Sequence, residues 1–105
     1  MNADGIAHEL NTPLQFVGAN LRFTGRGMSE LERWFRAVDD FVEATRSGSV
    51  DPELLERLDA LRREADIDYL MGELPAAIEE ALEGVARATV VIDAMKADAI
   101  REGTG

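Results

Sequence analysis

The sequence predicts an all-α protein, an antiparallel hairpin of two long helices that dimerises into a four-helix bundle. Three observations predict this fold. Apolar residues recur in alternating steps of three and four along most of the chain, which is the spacing of one helix face. Ala, Leu, Glu and Arg, which are strong helix formers, dominate the composition. Turn-forming residues cluster near the middle, so we expect helices over about 4–47 and 52–101, joined by a short loop.

The first helix is predicted from an apolar seam in which Thr24 is the only polar residue. A regular alternation of three and four steps is the heptad pattern of helices that pack as coiled coils. Aromatic residues beside the seam widen the apolar face, which indicates more than one neighbouring helix. The seam consists of Ala7, Leu10, Leu14, Val17, Leu21, Thr24, Met28, Leu31, Phe35, Val38 and Val42, and the aromatic residues beside it are Phe16, Phe23, Trp34 and Phe41.

The turn is predicted from the run Ser-Gly-Ser-Val-Asp-Pro that follows Arg46. Gly48 suits the left-handed position after a helix end, and Asp51 suits an N-cap that precedes Pro52 in a first turn. The first helix should therefore stop near Arg46 and the second should start near Pro52.

The second helix carries a similar seam with an interruption. Its phase slips after Ala65, where Gly72 and Pro75 also fall, so we expect a kink or break near 66–75. The last residues, 102–105, should fray. The seam consists of Leu54, Leu58, Leu61 and Ala65, and then of Leu74, Ile78, Ala81, Val85, Ala88, Ile92, Met95 and Ala99.

A short connection between two long helices predicts an antiparallel hairpin. Folding the chain at Ser49 places Leu14 opposite Val85 and Val38 opposite Leu61, so the two seams meet. Two helices alone cannot bury faces this wide. We therefore expect a homodimer in which two hairpins form the four-helix bundle.

Composition limits the classes of function. The length predicts one domain over residues 1–105. With no cysteine and one histidine, the chain should bind no metal and carry no cofactor of its own. The net charge of −10 disfavours nucleic acid and anionic membranes as partners. Since no apolar run reaches the roughly 18 residues that span a bilayer and no signal peptide is visible, we expect a cytoplasmic protein without direct membrane contact.

The only histidine, His8, lies in the run Gly-Ile-Ala-His-Glu-Leu-Asn-Thr-Pro, residues 5–13. If the seam points into the bundle, His8 lies on an accessible flank. The carboxylate of Glu9 should reach the imidazole, and accepting a hydrogen bond from Nδ1–H would leave Nε2 as a nucleophile. The residues that share this flank one turn apart are Asn11 or Thr12, Gln15, Ala19 and Arg22.

Pro13 allows two interpretations of this run. Inside a helix it leaves the carbonyl of Glu9 without its donor, at a cost of about 3 kcal/mol, and it could bend the helix to present His8. Alternatively the helix starts at Asn11 or Thr12, with Thr12 as its N-cap and Pro13 in its first turn. Capping alone then explains the pattern, and His8 is an ordinary surface residue.

The run from Gly5 to Phe16 resembles the H-box of bacterial sensor histidine kinases, in the subgroup whose pattern is G-hydrophobic-A-H-E-hydrophobic-N-T-P. Nearly every residue up to Leu21 fits. The segment from Glu73 to Lys96 is similar to the second helix of the same domain. The resemblance covers most of the chain and implies a dimerisation and histidine-phosphotransfer domain.

In that family the residue that matches His8 accepts the γ-phosphoryl group of ATP from a separate catalytic domain and passes it to an aspartate of a response-regulator receiver domain. The resemblance therefore implies part of a histidine protein kinase, with ATP and Mg²⁺ supplied through partner domains. The residue that matches Glu9 acts as acid or base. The residue that matches Thr12 orients water in members that dephosphorylate their regulators, and Asn11 completes the implied catalytic set.

The resemblance also implies a receiver-binding surface on the flank below His8. Core packing explains Phe16 and Phe23 equally well, and Arg22 and Arg26 are also explained as solvated side chains. The expected surface consists of Gln15, Phe16, Ala19, Arg22 and Phe23 on the first helix and Leu82, Ala86 and Thr89 on the second.

Two departures from the family pattern limit this prediction. No Gly-rich lid or asparagine-bearing motif of an ATP-binding domain follows the second helix, and residues 95–100 read Met-Lys-Ala-Asp-Ala-Ile where relatives read Met-Lys-x-Phe-Ser. We therefore expect an excised or engineered domain that cannot use ATP alone. Two alternatives stay open: a stand-alone phosphorelay protein that carries phosphoryl groups between receivers, and a helical dimer scaffold whose histidine is inert.

Overall fold

The structure, a computed structural model, describes residues 3–49 and 51–104. These residues form three α-helices, α1 (Ala3–Arg46), α2 (Pro52–Glu64) and α3 (Ile67–Thr104), and no strand occurs among them. The all-α prediction is confirmed. None of the helices in the described ranges has the length and apolar character that crossing a bilayer requires.

The chain divides into two compact units. The first unit comprises Met1–Phe23 and Ala76–Gly105, and the second comprises Thr24–Pro75. Helices α1 and α3 contribute to both units, whereas α2 lies wholly in the second.

The end of α1 is fixed by backbone hydrogen bonds around a glycine. Gly48 has a φ of +74°, the left-handed region that glycine enters without a Cβ penalty. The N–H of Ser49 donates to the carbonyl of Ala44 (2.8 Å), and the N–H of Gly48 donates to that of Thr45 (3.2 Å). This is the Schellman pattern, and it confirms the predicted end near Arg46.

The start of α2 is fixed by a side-chain cap. The backbone N–H of Glu53 donates to the carboxylate of Asp51 (3.0 Å), and Pro52 occupies the first turn. Because the missing N–H of a proline would have had no helical partner there, Pro52 costs nothing. The predicted cap is confirmed, and Val50 of the predicted turn lies outside the described residues.

The predicted break near 66–75 is confirmed at its first residue. Ala65 caps α2, and Asp66 has a φ of +51°. The N–H of Asp66 donates to the carbonyl of Arg63 (3.2 Å), and the N–H of Leu70 donates to the carbonyl of Asp66 (3.0 Å), which starts α3. One left-handed residue therefore ends one helix and begins the next.

Gly72 and Pro75, which made the sequence look interrupted, both lie inside α3. Packing of the buried face of α3 maintains the helix through these weak residues. The helix also continues to Thr104, so the prediction that 102–105 fray is wrong up to that residue. Gly105 lies outside the described residues.

The seam residues of α1 and those of α3 each divide into two series that alternate along the helix, whereas the four seam residues before α3, which are Leu54, Leu58, Leu61 and Ala65, are all half-buried. Along α1 and α3, every second member is covered, and the members between are exposed. Leu14 and Val85, predicted as a core pair, are 52% and 49% exposed. The covered series is Leu10, Val17, Thr24, Leu31 and Val38 on α1, with Leu74, Ala81, Ala88 and Met95 on α3; the exposed heptad series is Ala7, Leu14, Leu21, Met28, Phe35 and Val42 on α1, with Ile78, Val85, Ile92 and Ala99 on α3.

The covered face of α1 is shifted round the helix from the predicted seam, and in the first unit α3 presents small residues to this face. In the first unit Pro13 is buried, and a Cβ built on Gly84 would lie 2.6 Å from Cγ2 of Val17. Ala81 and Ala88, one turn on either side of Gly84, are also buried. Beside these small residues, the larger seam members Val85 and Ile92 stay exposed.

In the second unit the chain returns antiparallel to α1. A Cβ built on Gly27 would lie 2.6 Å from Cδ2 of Leu74. Farther along α1, Phe41 lines a cleft together with Leu58 and Leu61 of α2. The partner numbers fall as the α1 numbers rise within this unit.

Candidate functional site

His8 is exposed in the second turn of a helix that starts at Ala3. Because α1 begins well before Asn11, the interpretation of Thr12 as an N-cap is wrong. Pro13 is an interior helical residue and has no N–H for the carbonyl of Glu9. Helix capping therefore does not explain Pro13.

The hydroxyl of Thr12 is used within the helix. It donates to the carbonyl oxygen of His8 at 3.3 Å. A threonine that bonds four residues back in this way favours bending of a helix. Thr12 and Pro13 thus both perturb the backbone ladder within the turn that follows His8.

Glu9 does not contact His8 in the described part of the chain. No hydrogen bond or ion pair within 4.0 Å joins its carboxylate to the imidazole in residues 3–49 and 51–104. The predicted contact is absent because successive helical residues point about 100° apart, so neighbours in sequence do not face each other. Both side chains are exposed, and a rotamer change would be needed to join them.

The predicted site residues all fall in the first unit, but the structure places them in different surroundings. Phe16 and Phe23 are half-buried, so both contribute to packing. Arg22 is exposed and folds back along α1, since a Cβ on Gly18 would lie 3.2 Å from its Nη1. The remaining exposed residues are Asn11, Gln15, Ala19, Leu82, Ala86 and Thr89.

Arg87 is a residue that the sequence prediction missed. Its guanidinium carbon lies 5.5 Å from the centroid of the Phe16 ring, within the range of a cation–π contact. Its Nη2 is 3.6 Å from Oε2 of Glu83. Leu82, which the sequence predicted for the receiver-binding surface, precedes Arg87 by five residues. The two side chains therefore point about 140° apart round α3 and do not share a face. The predicted register places residue 83 opposite Phe16, so Arg87, one turn farther along α3, could have been found from it.

No group of three or more potential metal ligands comes together in the described residues. What this unit presents is a single imidazole on an exposed helix surface, with a carboxylate, an amide and a hydroxyl in the adjoining positions. Such a surface leaves the histidine open to a partner that brings the reacting group to it.

Comparison with family models, with curated proteins and with solved structures finds no match to this chain. The resemblance to the H-box therefore depends on the residues themselves.

Proposed function

We propose that this chain is a dimerisation and phosphotransfer domain of a sensor histidine kinase, with His8 as the phosphoacceptor. The observation that carries the proposal is the setting of His8 on α1. It is exposed, and five residues later Pro13 lies inside the same helix without a capping role. A proline inside a helix destabilises it, and the H-box pattern explains why a proline is found at this position.

The proposed reaction uses a partner for its phosphoryl group. Nε2 of His8 attacks the γ-phosphorus of ATP held by a separate catalytic domain, and the P–N bond forms as the bond to the ADP oxygen breaks. A receiver aspartate then takes the phosphoryl group from the imidazole. ATP and Mg²⁺ come through the partner domains, and positioning supplies most of the rate. Glu9 acts as acid or base after rotating toward His8.

The exposed heptad series supports the proposed dimer. In the first unit it includes Leu21 at 55% exposure and Ile78 at 46%, which are unusually open for large apolar side chains in a regular repeat. A second copy would cover them by the rule that heptad positions face a partner helix. We therefore propose a full-length hairpin that pairs with a second copy as a four-helix bundle in the cytoplasm.

Phosphorylation in trans tests the proposal. The full chain is incubated with a histidine-kinase catalytic domain, Mg²⁺ and ATP labelled at the γ-phosphate, and then with a panel of receiver domains. Acid-labile, base-stable label is expected on the wild type and not on His8→Gln, followed by transfer to at least one receiver. Label that arrives only from a phosphorylated receiver would identify a phosphorelay protein. No label by either route would leave the scaffold alternative and end the proposal.

A regulator phosphatase activity is the second part of the proposal, and it assigns the water-orienting role to Thr12. The Thr12→Ala variant should lose receiver dephosphorylation and keep phosphotransfer from His8. Full phosphatase activity in that variant would remove Thr12 from the mechanism.

A further inference from the structure

Helix α2 is the least anchored element of the second unit. None of its 13 residues is buried. At the start of α3, by contrast, Ile67 and Leu70 are 5% and 7% exposed. A helix of this length is marginal by itself in water, so α2 depends on its contacts with the rest of the unit.

Those contacts are incomplete on the apolar side. A cleft of about 180 Å³ lies between α1 and α2, with Phe41 on α1 facing Leu58 and Leu61 on α2. Phe41, Leu58 and Leu61 are only half-buried there, so they make fewer dispersion contacts than side chains of a closed core. Apolar packing therefore holds α2 to α1 less firmly than it holds the start of α3.

The junction between α2 and α3 interrupts the helical backbone. Asp66 adopts a left-handed backbone, which is unfavourable for a residue with a side chain although aspartate tolerates it better than most. The helical hydrogen-bond ladder stops there and starts again at Leu70. Helix α2 can consequently move without bending α3.

One side chain fastens α2 to both neighbouring helices. Nη2 of Arg62 donates to Oδ1 of Asp68 on α3 at 2.6 Å. The guanidinium carbon lies 6.0 Å from the centroid of the Trp34 ring on α1. In the described residues these are the only hydrogen bond and ring contact from an α2 side chain to another helix. The hydrogen bond to Asp68 raises the pKa of Arg62 above its ordinary value.

We propose that α2 is a lid that covers the Phe41 side of α1, that it opens about Asp66, and that Arg62 is the latch that keeps it closed. Opening is a local event of low free energy of the kind that leaves the rest of a unit folded. It exposes Phe41 together with Leu58 and Leu61. This conformational device concerns the second unit and is independent of phosphotransfer at His8.

Hydrogen exchange on the full chain tests the lid. Arg62→Ala is compared with Arg63→Ala, which removes the same charge from the next position of α2, where the side chain has no ion pair or ring partner in the described residues. Arg62→Ala should accelerate exchange of the α2 amides about three- to thirtyfold, the combined effect of one exposed ion pair and one cation–π contact. Exchange of the α3 amides should stay unchanged, and the emission of Trp34, the only tryptophan, should shift to longer wavelength.

The control should leave α2 exchange and Trp34 emission as in the wild type. Asp68→Asn, which retains the ring contact, should accelerate α2 exchange by a smaller factor and provides a second variant if Arg62→Ala fails to fold. The lid is refuted if α2 protection is unchanged in both variants. It is equally refuted if all three helices accelerate by the same factor, because that result indicates a loss of global stability.

Discussion

Gly84 of α3 lies directly against Pro13 of α1, so closely that a β-carbon on the glycine would be 3.1 Å from the proline carbonyl oxygen. The same β-carbon would be 2.6 Å from Cγ2 of Val17, a β-branched side chain with little rotamer freedom. The turn that follows the candidate phosphoacceptor is therefore held by backbone contact with the opposite helix. Backbone cannot yield as a flexible side chain can, and this makes Gly84 a sensitive position.

The first prediction concerns that contact. Gly84→Ala should lower the free energy of unfolding by roughly 1–3 kcal/mol, because the added methyl group has no space. Gly72→Ala is the matched control, since a Cβ there meets nothing within 4 Å. It should raise the free energy of unfolding by about 0.5–1 kcal/mol through helix propensity. Urea unfolding of the two variants measures both values, and equal stabilisation by the two changes would contradict the close approach.

The second prediction separates the two effects of Pro13. Pro13→Ala restores an N–H for the carbonyl of Glu9 and should raise the free energy of unfolding by up to about 3 kcal/mol. If the bend presents His8, the same change should slow phosphorylation of His8 by a catalytic domain. Pro75→Ala, also inside a helix, should stabilise without changing that rate. A stabilised Pro13→Ala variant with the wild-type phosphorylation rate would show that the bend has no part in catalysis.

The third prediction concerns the left-handed residue between α2 and α3. Asp66→Gly should raise the free energy of unfolding by roughly 0.5–1 kcal/mol, because glycine has no Cβ penalty at a φ of +51°. Asp59→Gly, inside α2, should lower it by a few tenths of a kcal/mol. Thermal unfolding followed by circular dichroism measures both, and destabilisation by both glycines would contradict the assigned backbone conformation.

Local signals explain which parts of the fold were predictable. The ends near Gly48 and Asp51 could be predicted because each residue acts on its own backbone, one through a left-handed φ and the other through a cap. The break was located only to within ten residues. Gly72 and Pro75 are stronger breakers than Asp66, but packing of α3 overrides them.

Periodicity could not decide which members of the seams face the chain's own helices. Both series repeat every seven residues, so hydrophobic spacing treats them alike. Side-chain size separates the two series only in part of α3, where buried Ala81 and Ala88 alternate with the larger exposed Val85 and Ile92. On α1 it does not, since Leu10 and Leu31 are covered and Ala7 is exposed. The contact between Glu9 and His8 was predicted from their adjacency in sequence, but adjacent residues of a helix point about 100° apart. Arg87 was missed because a lone arginine on a charged helix usually indicates only solvation.

The fourth prediction tests what covers the exposed heptad series. Val85 belongs to that series, whereas Val90 on the same helix does not, and the two side chains are 49% and 67% exposed. If two copies associate through the series, each Val85→Glu chain brings a charge to the interface, and twofold symmetry doubles the effect. With about 1.5–3 kcal/mol lost per buried valine, the dimer Kd should rise by at least about 100-fold. Val90→Glu should leave the Kd close to that of the wild type. Sedimentation equilibrium measures both, and an equal shift in the two variants, or none in either, would mean that the series does not form the dimer interface.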